Sequence, residues 1–126
     1  MAIEPIKVLV AEDSEIVSEA LRQLLTKDGR IEIVGQAGSF REMLHQCDGL
    51  KPRIILMDLR MADADQFAAD QIKDCMEKAD VKLIATSSWF DDQTNELAAS
   101  YGANIFLDKT RLRSQLVPAI VRLAQK

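Results

Sequence analysis

The sequence predicts an α/β fold, a doubly wound five-stranded parallel sheet in (βα)5 order. Short apolar runs of strand length alternate with longer segments of helical period along the chain. The runs are continuously hydrophobic rather than alternating, which implies burial on both faces, as in a parallel sheet held between two helix layers. Several runs also end on acids, hydroxyls or a lysine instead of turn residues. That places polar chemistry beyond the carboxyl ends of the strands, where doubly wound sheets collect it.

Each element has its own signal. "IKVLVAED", 6 to 13, is an apolar strand ending in two acids. "SEIVSEALRQLLTKDG" repeats Ile16, Val17, Ala20, Leu21, Leu24 and Leu25 at helix spacing; Asp13 or Ser14 can cap that helix and Gly29 can end it. "IEIVGQAG" is the second strand, "SFREMLHQCDGL" a short helix and "RIILMD" the third strand. "DQFAADQIKDCMEKA" is helical, "VKLIATSS" is the fourth strand, and "DDQTNELAASYG" is a helix ending at Gly102. "ANIFLDK" is the fifth strand, and "RLRSQLVPAIVRLAQ" is a last helix with Pro118 as its point of kinking.

Composition narrows the function. A chain of 126 residues, 48% hydrophobic, suits one domain spanning 1–126 with a real core. The formal charge of −4 argues against direct nucleic-acid contact, which demands a Lys/Arg patch. Cys47 and Cys75 have no metal-ligand spacing and sit in helical segments, so they read as free thiols of a reducing compartment. No run approaches a membrane span, and "MAIEPIK" lacks the apolar core of a signal peptide. A cytoplasmic protein is expected.

The strand ends carry Glu12 and Asp13, Asp58, Ser87 and Ser88, and Asp108 and Lys109. In the predicted fold these positions converge, and close carboxylates repel by roughly 3 to 4 kcal/mol per pair at an effective dielectric near 20. A hard divalent cation such as Mg²⁺ would neutralise them and could bridge to a phosphoryl oxygen, with Lys109 a second counter-charge. A Ser87 hydroxyl could donate to another oxygen, so the set suits a phosphoryl group on one acid. Asp58, last in the central run, is the natural acceptor.

"VLVAED", "IILMDLRM", "LIATSS" and "GANIFLDK", in this order and spacing, resemble the receiver domain of bacterial two-component response regulators over essentially the whole chain. The resemblance implies a flavodoxin-like receiver that accepts a phosphoryl group on Asp58 from a sensor histidine kinase or phosphotransfer protein. It makes Asp13 with Glu12 the metal acids and the Arg60 carbonyl a backbone metal ligand. The hydroxyl position is Thr86 or Ser87, and the family's usual spacing back from Lys109 selects Ser87. Phe106 takes the aromatic switch position, although periodicity alone reads it as core. "VKLIATSSWFDD" and "GANIFLDKT" look closest to receivers joined to helix-turn-helix DNA-binding domains. A phosphorylation-favoured homodimer or a docked output domain is expected at the fourth helix, fifth strand and fifth helix, with no catalysis beyond the domain's own phosphorylation and dephosphorylation.

The sequence also departs from the family pattern. Met61-Ala62 stands where most receivers have Met-Pro, and Gln66 where they have Gly, so the loop after Asp58 is expected to be less fixed. Thr110 follows the lysine in place of proline, and no cis peptide is expected there. His45 reads as a surface residue rather than a relay histidine, and the "DADQ" and "FDDQ" acids as solvated helix starts. Trp89 either shields the pocket or covers a helix.

Three other functions compete. An aspartyl-nucleophile phosphatase needs a second acid two residues after its nucleophile, where this chain has Arg60. A flavin carrier needs a phosphate-cradling loop where "AEDSEIV" stands. A receiver-like interaction module that never takes phosphate stays open through the altered 62 to 66 loop.

Overall fold

The computed structural model of the chain describes residues 4 to 125. The first residues of "MAIEPIK", read above for the absence of a leader, lie outside them. The strands are β1 (Ile6–Ala11), β2 (Ile31–Ala37), β3 (Ile54–Asp58), β4 (Lys82–Ser87) and β5 (Ile105–Asp108). The helices are α1 (Glu15–Thr26), α2 (Phe40–Leu50), α3 (Ala69–Ala79), α4 (Asp92–Ser100) and α5 (Leu112–Ala124). All strand pairs are parallel, in the order β2-β1-β3-β4-β5.

The continuous apolar strands behave as their composition demands. Successive side chains point to opposite faces, so each strand feeds two cores. Val8, Val10, Ile54, Leu56 and Ile84 pack with Leu21 and Leu25 of α1 and Leu116 and Ile120 of α5. Leu9, Ala11, Ile55, Met57, Leu83 and Ala85 pack with Phe40 and Met43 of α2, Ile72 and Met76 of α3, and Ala98 of α4. The helix layers are therefore α1 and α5 on one face and α2, α3 and α4 on the other. β3 lies between β1 and β4, and all five of its residues are buried.

Two helix boundaries differ from expectation. Gly29 does not close α1; the helix stops at Thr26, Lys27 keeps right-handed geometry, and the Asp28 amide donates to the Leu25 carbonyl at 3.1 Å. Gly102, by contrast, has φ +81 after α4, a conformation for which glycine is suited, and a Cβ there would sit 2.9 Å from Lys73 Cγ. The helix expected from Asp65 begins only at Ala69. Residues Ala64–Gln66 form a 3₁₀ turn, and Phe67 is extended (φ −128, ψ 131), its ring edge-on to Phe40 at 6.3 Å. α5 runs as one helical segment through Pro118. Cys47 is buried in α2, Cys75 is exposed in α3, and both are free thiols.

Candidate functional site

The strand order reverses between β1 and β3, and their carboxyl ends open the crevice there. The Glu12 amide donates to the Ala37 carbonyl at 2.9 Å, so β1 keeps its pairing with β2 one residue past the strand. Ser14 then caps α1, its Oγ accepting the Val17 amide at 3.3 Å. Of the two caps open in the sequence, the serine is the one used. Asp13 is left exposed at the rim, while Glu12 turns inward and is only 5% exposed.

Asp58 ends β3 and is equally buried. Its Oδ1 accepts the Arg60 amide at 3.1 Å, and its Oδ2 lies 3.2 Å from Lys109 Nζ. Lys109 Nζ also donates to Glu12 Oε1 at 2.6 Å, so one ammonium bridges the ends of β1 and β3 from the end of β5. Glu12, Asp13 and Asp58 offer carboxylate oxygens that all lie within 4.8 Å of one another.

Ser87 closes β4 opposite Asp108 of β5. It lines a cleft of about 200 Å³ with Asp58, Arg60, Ser88, Trp89 and Lys109. The Ser87 hydroxyl accepts the Trp89 amide at 3.0 Å. Thr86 points elsewhere, its hydroxyl directed at the Met57 carbonyl at 3.5 Å. At the mouth of the cleft Trp89 is 58% exposed, and the Arg60 guanidinium sits 4.8 Å from the centre of its ring. Phe106, half-buried in β5, stacks against Phe90 rather than reaching this cleft.

The charges do not balance within the chain. Burial works against the Lys109 ammonium, but its hydrogen bond to Glu12 and the charge of Asp58 outweigh it and raise its pKa. Burial pushes the Glu12 carboxyl up to about 7, with the Lys109 hydrogen bond opposing and neighbouring Asp58 adding to the rise. With all three carboxylates ionised, the single ammonium leaves two negative charges uncompensated. An all-oxygen donor set, half open to water at Asp13, fits a hard divalent cation.

Two contacts escaped the sequence reading. Asp63, taken with its neighbours as a solvated helix start, accepts the Phe40 and Arg41 amides at the start of α2 at 2.9 and 3.1 Å. The loop after Asp58 is thus tied down, against the expectation that it would be less fixed. Phe90 was not singled out either, and its ring covers Phe106. Nothing local signals these pairings, because their partners are distant in sequence. His45 is exposed on α2, as expected.

Residues 8–121 match the response regulator receiver domain. The chain belongs to that family. The receiver is 32% identical over 117 residues to response regulator protein VraR of Staphylococcus saprophyticus, covering 92% of this chain and 55% of that protein. Identity to VraR of Staphylococcus aureus is also 32%, over 116 residues. The receiver thus spans about half the length of these curated relatives, 55% and 54%. Among solved structures, the signal receiver domain of the response regulator NarL from Mycobacterium tuberculosis superposes with a TM-score of 0.86 at 22% identity, covering 98% of both chains. The response regulator domain of Thermotoga maritima CheB gives 0.84 at 23%, again over 98% of both. At these identities the structures show the shared flavodoxin-like fold.

Proposed function

We propose that this receiver is a phosphorylation-dependent switch whose phosphoacceptor is Asp58. The observation that carries the reading is the Lys109 bridge between Glu12 and Asp58, with Asp13 completing a carboxylate triad at the switch point of the sheet. An oxygen of Asp58 attacks the phosphorus of a phosphohistidine on a sensor kinase or phosphotransfer protein, the P–N bond breaks, and imidazole leaves. Lys109 donates to the phosphoryl oxygens as charge moves onto them, and the Ser87 hydroxyl in the same cleft can turn to do likewise. Catalysis is positioning and charge stabilisation.

Glu12, Asp13, Asp58 and the Arg60 carbonyl would hold Mg²⁺, which when bound supplies the positive charge the pocket lacks. The phosphatase reading fails for want of a second acid, since the Arg60 side chain is engaged with Trp89. The phosphate-independent reading loses its motive, because the altered loop is anchored by Asp63. Catalysis would then be limited to the domain's own phosphorylation and dephosphorylation. Among the described residues no helix is long and apolar enough to cross a membrane. The domain would work in the cytoplasm, a reducing compartment that suits the free thiols Cys47 and Cys75, and its charge of −4 argues against direct contact with nucleic acid. Its output would leave through α4, β5 and α5, as a phosphorylation-favoured homodimer or by docking an output domain that controls transcription.

Incubation with acetyl phosphate and Mg²⁺ should add one acid-labile phosphoryl group, visible by intact-protein mass. Asp58→Asn should abolish it, and full labelling of that variant would overturn the assignment.

A further inference from the structure

The turn that carries the Arg60 carbonyl has no proline to stiffen it: Met61, Ala62 and Asp63 follow directly. Its shape is imposed from across the molecule. Met61 is buried and its carbonyl accepts the Ala64 amide at 3.0 Å. Beyond it the Asp63 carboxylate spans the first turn of α2, with Oδ1 2.9 Å from the Phe40 amide and Oδ2 3.1 Å from the Arg41 amide. Those amides have no intrahelical acceptor, and a carboxylate at a helix start is favoured by the dipole as well. The same two residues of α2 grip the loop a second time. The Arg41 guanidinium donates to Gln66 Oε1 at 3.4 Å and lies 5.7 Å from the centre of the Phe67 ring. Phe40 meets that ring edge-on at 6.3 Å.

We infer that Asp63 is a positioning residue for the metal and acceptor site: by anchoring the turn to α2 it holds the Arg60 carbonyl where the cation needs it. The inference rests on the proposed Asp58 site. Asp63 touches neither phosphate nor metal. It acts through the four residues between Asp58 and Asp63, whose backbone would otherwise sample several conformations and offer the carbonyl only part of the time. Removing such an outer support typically lowers metal affinity by about tenfold or more.

The test is a Mg²⁺ titration read by Trp89 fluorescence on the full chain. The parent is compared with Asp63→Ala, Asp63→Asn and Ser39→Ala, each verified as folded by circular dichroism. Ser39 provides the other side-chain cap of α2, its Oγ accepting the Glu42 amide at 3.1 Å, and its side chain makes no hydrogen bond to the loop among the described residues. Asp63→Ala should weaken Mg²⁺ binding by about tenfold. Asp63→Asn, with one acceptor oxygen for two amides, should fall between it and the parent and serves alone if the alanine variant does not fold. Ser39→Ala should bind as the parent does, although it too loosens α2. If the Asp63 variants bind Mg²⁺ like the parent, or if Ser39→Ala is weakened as much as they are, the inference is overturned while the site reading stands. A parent that binds no Mg²⁺ overturns the site reading and this inference together.

Discussion

The rings of Phe90 and Phe106 stack with centroids 4.6 Å apart and planes 12° from parallel. Phe90 is 54% exposed, so it forms an outer lid on the aromatic residue of β5. If phosphorylation draws Ser87 inward and Phe106 follows into the space vacated at the end of β4, the stack must break. Aromatic pairs contribute about 0.5 to 1.5 kcal/mol beyond area burial. Phe90 would then favour the unphosphorylated state. Phe106→Ala should leave phosphorylation nearly intact while blunting phosphate-dependent self-association, measured by sedimentation with and without beryllofluoride. Phe90→Ala should raise association without phosphate by roughly two- to tenfold. A Phe106→Ala variant that associates like the parent would remove this route.

Asp13 is the exposed member of the carboxylate triad. Substituting asparagine keeps an oxygen ligand but removes one charge, so Mg²⁺ affinity should drop severalfold or more. Indistinguishable titration curves for the parent and Asp13→Asn would exclude metal binding at these acids.

Trp89 and Arg60 close the mouth of the cleft that holds Asp58 as a cation–π pair at 4.8 Å. Water must attack the phosphoaspartate in line, and a bulky pair narrows that approach. Trp89→Ala should shorten the phosphoryl lifetime. Arg60→Ala should do so by about two- to fivefold, matching the roughly 0.5 to 1 kcal/mol of an exposed cation–π contact. Decay of the labelled protein after removal of donor measures both, and unchanged decay would leave Trp89 as a surface ring.

The Tyr101 ring is buried edge-on against Phe40 at 5.7 Å, and burial raises the pKa of its phenol above the ordinary value of 10. The folded state thus holds its proton more tightly than the unfolded chain. The stability tied to this group is complete below pH about 10 and is lost as pH rises from there through the folded pKa. Urea midpoints should fall more steeply above pH 10 for the parent than for Tyr101→Phe, which has no phenol to ionise. Parallel curves would show that the phenol is not protected by the fold.

The alternation of apolar runs and amphipathic helices determined the (βα)5 architecture, because burial on both sheet faces leaves no other use for "KVLVA", "IILM" or "KLIAT". The strand-end acids and Lys109 were legible for a related reason. A buried run that closes on Asp58 puts a charge at the sheet edge, and doubly wound topology brings such edges together. Local signals failed where local geometry was overruled. Gly29 looked like a helix stop, but α1 ended at Thr26 without needing a left-handed residue. The helix expected from Asp65 was delayed to Ala69, where Phe67 turns toward Phe40.

Tertiary structure alone decided which side chains meet. It agrees with the spacing from Lys109 in bringing the Ser87 hydroxyl, and not that of Thr86, into the cleft, since adjacent strand residues face opposite sides. It laid Phe90 on Phe106 and set Asp63 on the start of α2. Aspartate in a loop has the same composition whether its carboxylate meets water or two orphan amides. The difference lies in where a helix 22 residues and more upstream comes to rest, which depends on the packing of the whole sheet and not on any short stretch of chain.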